Sequence, residues 1–592
     1  MTVASATTLP VAPSRARRRL SLGRFAPAGL IGPAVIVVAV GALAPLIVLV
    51  LYSFGVLGTK EPAGIGVYRT LLGDTYVRQT FIKSLRMAGT VTVVGLFVAV
   101  PFAFVIARSR GWARTLLTSL VVLPLLVNIV VRNLGWMLIL SRNGVLNTVI
   151  RHIGLEQSLP GTLPGIAVML IHVSIPLTVL PLLSTIDQFQ PAQREAAQSL
   201  GAHPIVSFAR ITLPAVAPGL VAGAVLSFVI ATGSLVTPLF LGQGRVNVIP
   251  TLIVQQIQTY RWERAAAMSM MLFAICVVIV VLLQRTARRA SQGRTSRSRT
   301  RGQVLPWRPL TAVATLMNPA PAFDLLRRWA TRLYVTVIGL FLILPMLVII
   351  KNGLDTSPVS QAGMSGVTLK WVREAFAADG YRVQLLFSLR LALTAVLCGL
   401  VLSVAASWAI ARYRFRGRDA ILAFLMSPLL MPQAALAVGY VLFFLILKTA
   451  PSFNRLLLAH VLVTIPYMTR VLVGTFESVD VRMEEAGSAL GARPLTVFRR
   501  ITLPIVRSGI FTACLFGFLV SFDESAISVL IASGRTTTLP VKLLSEMQFQ
   551  ATPVGAAVSA VLIVAITAIV VPLERRLGIA SSAVAVPKRQ PA

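Results

Sequence analysis

Uninterrupted apolar runs of about 20 residues recur along this 592-residue chain, and each is long enough to cross a bilayer as a helix. Stretches such as Ile31 to Leu51 and Val558 to Val571 have no polar face, so they cannot be the amphipathic helices of a large soluble protein. Charged residues make up 12% of the chain and the mean hydropathy is +0.82, whereas a soluble domain carries about a quarter charged residues. The expected fold class is an all-α polytopic membrane protein.

The 55 Lys and Arg outnumber the 19 Asp and Glu, for a net charge of +36. The arginines cluster at span ends without interleaved aromatic residues, which excludes a nucleic-acid surface as the main reading. Retention of basic residues in cytoplasmic loops explains the excess instead. Cys276, Cys398 and Cys514 lie in separate apolar runs and read as small buried hydrophobes rather than disulfides. His152, His172, His203 and His460 lack ligand spacing, so no metal site is proposed.

Basic residues before Phe25 (Arg15, Arg17, Arg18, Arg19, Arg24) place the N-terminus in the cytoplasm ahead of an uncleaved first span, Pro27 to Phe54. Further spans are expected near Phe81 to Ala107, Leu116 to Leu140, Leu163 to Leu183, Ala215 to Leu241, and from Glu263 to Leu283. The loop from Ser141 to Pro160 and the stretch from Gly242 to Glu263 are expected outside. From Arg285 to Arg332 the chain is rich in Arg, Ser, Pro and Thr and reads as a flexible cytoplasmic linker. A second set of six follows near Leu333 to Ile350, Leu385 to Ala411, Ile421 to Leu447, Leu456 to Thr475, Ile505 to Ile531 and Gly555 to Val571. The organisation is thus a basic cytoplasmic segment (1–26), a first six-span half (27–284), the linker (285–332), a second six-span half (333–573) and a cytoplasmic tail (574–592).

The halves are copies. Ser84-Leu85-Arg86 matches Ser388-Leu389-Arg390, and Pro124-Leu125-Leu126 matches Pro428-Leu429-Leu430, both at an offset of 304. From Ile175-Pro176 (Ile465-Pro466) onward the offset is 290, the difference falling in the loop after the third span. Six spans per copy leave the halves in the same orientation, so twelve helices form two parallel six-helix repeats with a path between them. The strongest match is polar. Glu195 to Pro214, EAAQSLGAHPIVSFARITLP, returns at Glu485 to Pro504, EAGSALGARPLTVFRRITLP, with 12 of 20 positions identical. Each copy predicts two short helices, with Gly201 or Gly491 in a left-handed turn between them. Pro204 or Pro494 opens the second helix, and Pro214 or Pro504 opens the fifth span.

Glu195-Ala196-Ala197, Gly201 and the later Ile-x-Leu-Pro resemble the cytoplasmic "EAA" loop of permease subunits in binding-protein-dependent ABC importers. Glu485-Ala486-Gly487 with Gly491 and Pro504 differs from that pattern only at the third position. The resemblance implies that each loop is a coupling helix docking in a cleft of an ATP-hydrolysing subunit. Two loops on one chain then imply two ATP-binding cassette subunits, expected as a homodimer, and the family implies an extracytoplasmic solute-binding protein. It further implies a bacterial cytoplasmic (inner) membrane location, and the basic flanks with an even number of spans put both termini inside. A finer resemblance is to the polyamine branch, the spermidine/putrescine permeases. It rests on Val131-Arg132-Asn133-Leu134-Gly135-Trp136, Asn143-Gly144-Val145-Leu146-Asn147, Val236 to Gly242, Ser521-Phe522-Asp523-Glu524 and Thr538-Leu539-Pro540. Relatives handling ferric iron or other small solutes share much of it.

The chain has no GxxxxGK[ST] phosphate loop. It is therefore expected to be no enzyme and to bind no cofactor, with ATP and Mg used by the partner. Ionisable residues inside spans are costly and are candidates for the solute path. Those are Arg132 in the third span and Asp523 and Glu524 in the fifth span of the second half, where the first half has Gly233 and Ser234. One expectation is that Asp523 or Glu524 favours a cationic solute, with Arg132 as counter-ion or gate; the other is a structural or interfacial role. An ion-coupled secondary transporter and a membrane scaffold are the alternative classes.

Overall fold

The computed structural model describes residues 26–57, 64–151, 159–189, 192–292, 321–357, 363–377, 380–413, 415–547 and 552–577. The basic N-terminal segment, the middle of the linker and most of the C-terminal tail lie outside the described residues. The described chain is helical throughout, apart from a single isolated bridge between Asp355 and Val367. Its main helices in the first half are α1 (Pro27–Ser53), α2 (Thr75–Arg108), α3 (Gly111–Leu126), α4 (Ile129–Leu140), α5 (Leu163–Gln188), α6 (Ala192–Ser199), α7 (Phe208–Gly233), α8 (Ile249–Gln258) and α9 (Trp262–Gln292). The second half supplies α10 (Pro321–Leu354), α11 (Arg382–Arg412), α12 (Arg418–Met426), α13 (Gln433–Ile446), α14 (Phe453–Ser478), α15 (Val481–Ala489), α16 (Pro494–Asp523), α17 (Leu539–Met547) and α18 (Pro553–Leu577).

Among the described residues nine helices are long and apolar enough to cross a membrane as single rods; two bent pairs and the shorter apolar helix Pro553–Ile569 fall at the other three expected places. The third span of each half is therefore not the straight helix expected. The segments Gly111–Leu126 and Ile129–Arg151 meet at 103°, and the second-half pair meets at 90°. Extended backbone at Val127 and Asn128 makes the first break, and the Asn128 side chain then caps the new helix by accepting from the Val130 N–H at 2.8 Å. In the second half the corresponding residue is Pro432, which has no N–H to continue a helix. The fifth spans also stop early, at Gly233 and Asp523 instead of Leu241 and Ile531. Ser234 and Glu524 are extended and begin separate short turns, Val236–Leu241 and Ser528–Ile531. The stretches after them, expected as outer loops, contain α8 and α17. Both ends of the expected linker are helical, since α9 runs to Gln292 and α10 starts at Pro321.

The repeat seen in sequence is a repeat in space. The Ser84 hydroxyl accepts from the Ile249 N–H at 2.9 Å, and its counterpart Ser388 accepts from the Leu539 N–H at 2.8 Å. Each bond ties the second span of a half to the helix that precedes its sixth. The exposed pair Arg114–Asp187 (2.6 Å) likewise recurs as Arg418–Glu477 (2.7 Å). One arrangement was not legible in the pattern: the halves exchange their first helices. Ile31, Ala34, Val38 and Ala42 of α1 are buried with Leu391, Leu425, Leu456 and Leu462 of the second half. In return, Ile338 and Leu342 of α10 are buried with Phe102, Val121 and Leu182 of the first. The Tyr334 hydroxyl of α10 donates to the Val98 carbonyl, and His172 on α5 meets the Leu342 carbonyl at 3.1 Å. Glycine permits both crossings. A Cβ on Gly135 of α4 would stand 2.5 Å from the Pro345 carbonyl, and one on Gly439 of α13 would stand 3.1 Å from that of Pro45.

Candidate functional site

The two copies of the repeated loop lie at the same end of the bundle, between the fourth and fifth spans of each half. Each begins with a short helix, α6 or α15, and turns at a glycine. Gly201 has φ +84° and Gly491 φ +82°, a left-handed conformation that a side chain disfavours. The turn leaves Leu200 and Leu490 89% and 90% exposed at the tips. Glu195, Ala196, Gly201, Ala486, Gly491 and Pro504 are exposed, and Ala197, Pro214 and Glu485 are half-buried. Gly487 alone of these is buried. A Cβ there would stand 2.5 Å from the Ile501 side chain, which accounts for glycine where the first copy has alanine.

Pro204 and Pro494 open second helices, as expected. These helices do not stop at Leu213-Pro214 or Leu503-Pro504. A π-helical turn, Phe208–Thr212 or Phe498–Thr502, absorbs the proline and runs straight into the fifth span. The Leu213 N–H bonds the Phe208 carbonyl, five residues back, so the missing donor of Pro214 is accommodated without a break. Each loop is thus the end of a rod that reaches the middle of the molecule.

The second loop is also bolted to its half. Arg412, the last residue of α11, makes a bidentate pair with Glu484 of α15, Nε to Oε2 at 2.7 Å and Nη2 to Oε1 at 3.0 Å. Its Nη1 donates to the Phe476 carbonyl at 2.8 Å, and the Thr502 hydroxyl donates to Glu484 Oε1 at 2.8 Å. Glu484 is 1% exposed. The counterparts in the first half are Arg108, Arg194 and Thr212, with no carboxylate among them.

The far ends of the rods meet the opposite half. Asp523, the last residue of α16, accepts from the Ile129 N–H at the start of α4 at 2.6 Å. The pseudo-equivalent contact sets Gly233 against Pro432 and Gln433 at the start of α13, where a Cβ would lie 3.0 Å from Pro432. The acid therefore sits at an inter-half junction and caps a helix of the other half. Glu524 is buried, and its Oε1 accepts from the Ile527 N–H at 2.7 Å, holding the turn beyond the rod. Arg132 follows one turn along α4 and is 4% exposed, yet its Nε and Nη1 have no hydrogen-bond partner. The structure brings Arg132 and Asp523 to one junction without joining them in an ion pair. The second-half counterpart of Arg132 is Leu436, so the junction is polar on one side only. No group of three metal-ligating side chains occurs among the described residues.

A model of the family "Binding-protein-dependent transport system inner membrane component" matches residues 93–292 and again 395–578. The chain belongs to this family. The two matches span well over half of the permease, and each contains one copy of the loop. Among similar curated proteins, the spermidine/putrescine permease PotC of Haemophilus influenzae is 27% identical over 40% of this chain and 92% of its own length. PotB of the same organism is 30% identical over 38% of this chain and 79% of its own. A crystal structure of a bacterial ABC transporter involved in alginate import aligns with a TM-score of 0.39 at 22% identity, covering 44% of this chain and 94% of that one. The protein is an ABC importer permease with two family domains in one chain, a multi-pass protein of the inner membrane.

Motif reading found the exposed faces of the permease loops but not their anchor. Neither Arg412 nor Glu484 belongs to the motif that marks the loops. A signal was present: at the position of Glu484 the otherwise matched repeat has Arg194.

Proposed function

We propose that the permease moves a small, cationic, polyamine-like solute inward by rocking of its halves, driven by two ATP-hydrolysing subunits, expected as a homodimer, that grip the two exposed loops. The observation that supports this most directly is the pair of loop tips, each leucine nearly fully exposed at the turn that leads into a rod continuous with the fifth span. Movement imposed at a tip would be carried along the rod to the junction where Asp523 meets Ile129. An extracytoplasmic solute-binding protein would deliver the solute to the other end. The loops face the cytoplasm in this reading, and ATP and Mg are used by the partner alone.

Asp523 is the better of the two acids for solute contact, because it is half-exposed at the junction while Glu524 is buried on its own turn. A cation entering the junction would compete with the Ile129 N–H for the Asp523 carboxylate. Arg132, buried with its Nε and Nη1 lacking hydrogen-bond partners, would then be the gate: a buried guanidinium without a carboxylate costs several kcal/mol, and Asp523 is the nearby group on the opposite half that could relieve it. The polyamine branch is favoured by the PotB and PotC likenesses, with ferric iron or another small solute as the alternative.

Two sets of variants test the reading. Glu195→Ala with Glu485→Ala should abolish co-purification of the cognate ATPase while the chain still inserts; normal binding and full transport would refute the loop assignment. Asp523→Asn and Glu524→Gln should separate, with uptake of the cation falling in the first; unchanged uptake in both would remove the acids from the path.

A further inference from the structure

The two loops are built on one plan, but only one of them is complete. In the second half the acid that closes the plan is internal: Glu484 is held by Arg412 and Thr502 at 2.7 to 3.0 Å. In the first half the three positions are Arg108, Arg194 and Thr212. Thr212 is 3% exposed and its hydroxyl has no partner. The Nε of Arg194 is buried without a partner, and neither Arg108 nor Arg194 makes an ion pair among the described residues. Arg108 lies exposed at the end of α2, whereas Arg412 is buried. Two guanidinium groups and a hydroxyl carry two positive charges and no carboxylate to balance them. Where the second loop places a carboxylate between an arginine and a threonine, the first has a second arginine, and the pseudo-symmetry that holds at Ser84 and Ser388 fails here.

We propose that the ATP-hydrolysing partner supplies the missing acid: a carboxylate on its surface docks against the Arg108 and Arg194 guanidinium groups, so that the first loop is completed by the partner as the second is by Glu484. The proposal rests on the reading of the loops as docking elements. Its basis is charge complementarity with a known geometry, since a planar guanidinium fork takes a carboxylate bidentately and the finished version is present in the other half. The consequence is functional asymmetry. A homodimeric ATPase would present the same face to both loops, but its acid would find donors at the first loop and a closed ion pair at the second. The first loop would carry the electrostatic recognition and the second the rigid mount.

The test uses the full chain purified with its cognate ATPase. Arg108→Lys and Arg194→Lys place an amine where a zero-length carbodiimide can couple it to a carboxylate within reach. The expected result is a permease–ATPase cross-link from Lys at position 194 or 108 to an acidic residue, mapped by mass spectrometry. Arg412→Lys should give only an intrachain link to Glu484. Arg194→Gln should weaken ATPase binding by about tenfold or more, with Arg194→Lys largely retaining it. An intact complex with no intermolecular cross-link from either position would overturn the proposal. So would an effect of Arg194→Gln that disappears when anionic lipid is replaced by zwitterionic lipid, because a phosphate headgroup would then be the occupant. Failure of the unaltered chain to bind the ATPase at all would instead refute the docking reading beneath it.

Discussion

Removing the Glu484 carboxylate should release the second loop while leaving the first untouched. In the intact protein it accepts three hydrogen bonds, two from Arg412 and one from Thr502, with both charged side chains at most 4% exposed. Glu484→Ala takes the carboxylate away from a buried guanidinium and removes the acceptor of the Thr502 hydroxyl. Loss of one partner from such a buried pair costs about 3–5 kcal/mol, and burial means that solvent screening offers little discount. At about 1.4 kcal/mol per tenfold, local opening of the loop should become roughly two to four orders of magnitude more frequent. Hydrogen exchange of the peptide covering residues 481–490 measures this directly, with residues 192–199 as an internal control that should not change. Glu484→Gln keeps the shape and one acceptor and should fall between. Exchanging the partners, Arg412→Glu with Glu484→Arg, should recover part of the protection. If Glu484→Ala exchanges no faster than the unaltered chain, the mount does not hold the loop and the reasoning fails.

Other perturbations reach different parts of the account. Gly135→Ala brings a Cβ to 2.5 Å from the Pro345 backbone and should cost about 1–3 kcal/mol as α10 is forced outward; Gly439→Ala, with 3.1 Å available, should lower thermal stability less. Gly491→Ala meets no atom within 4 Å but keeps φ +82°, so its cost is about 1–2 kcal/mol of backbone strain, seen as faster exchange in the loop with unchanged global unfolding. At the end of α10, the Lys351 ammonium 2.7 Å from Asp355 holds its carboxyl down to about 2, aided by the N–H groups of Ser357 and Ser365. That stabilisation is present above the unfolded value of about 3.9 and is lost as pH falls toward about 2. Thermal unfolding in that window should steepen with acid, and Asp355→Asn should flatten the slope.

Much of this was legible because it is carried by period and repetition. Apolar runs gave the spans, and the constant offsets found the matched serines Ser84 and Ser388 before their hydrogen bonds were seen. Gly201 and Gly491 announced left-handed turns because few other residues adopt them. The failures have physical reasons as well. Hydropathy measures where a segment is comfortable, not its direction, so the bends at Asn128 and Pro432 were invisible within uniformly apolar runs. Pro214 and Pro504 looked like helix starts because sequence rules do not anticipate a π turn absorbing a proline. The exchange of α1 and α10 between halves depends on pairing surfaces, and any apolar helix offers one. Asp523 stood out in sequence as an acid inside a span, but its bond to a backbone N–H of the other half required the break at Asn128 to exist first.

A permease driven through its loops by ATP hydrolysis in a partner must stop when ATP is withheld. Reconstituting the full chain with its cognate ATPase and solute-binding protein in liposomes, and following uptake with and without internal ATP, tests it most directly. Uptake should require hydrolysable ATP, persist when ion gradients are collapsed by ionophores, and vanish in the Glu195→Ala, Glu485→Ala double variant. Uptake that proceeds without ATP and stops when an ion gradient is removed would contradict the account and make the protein a secondary transporter.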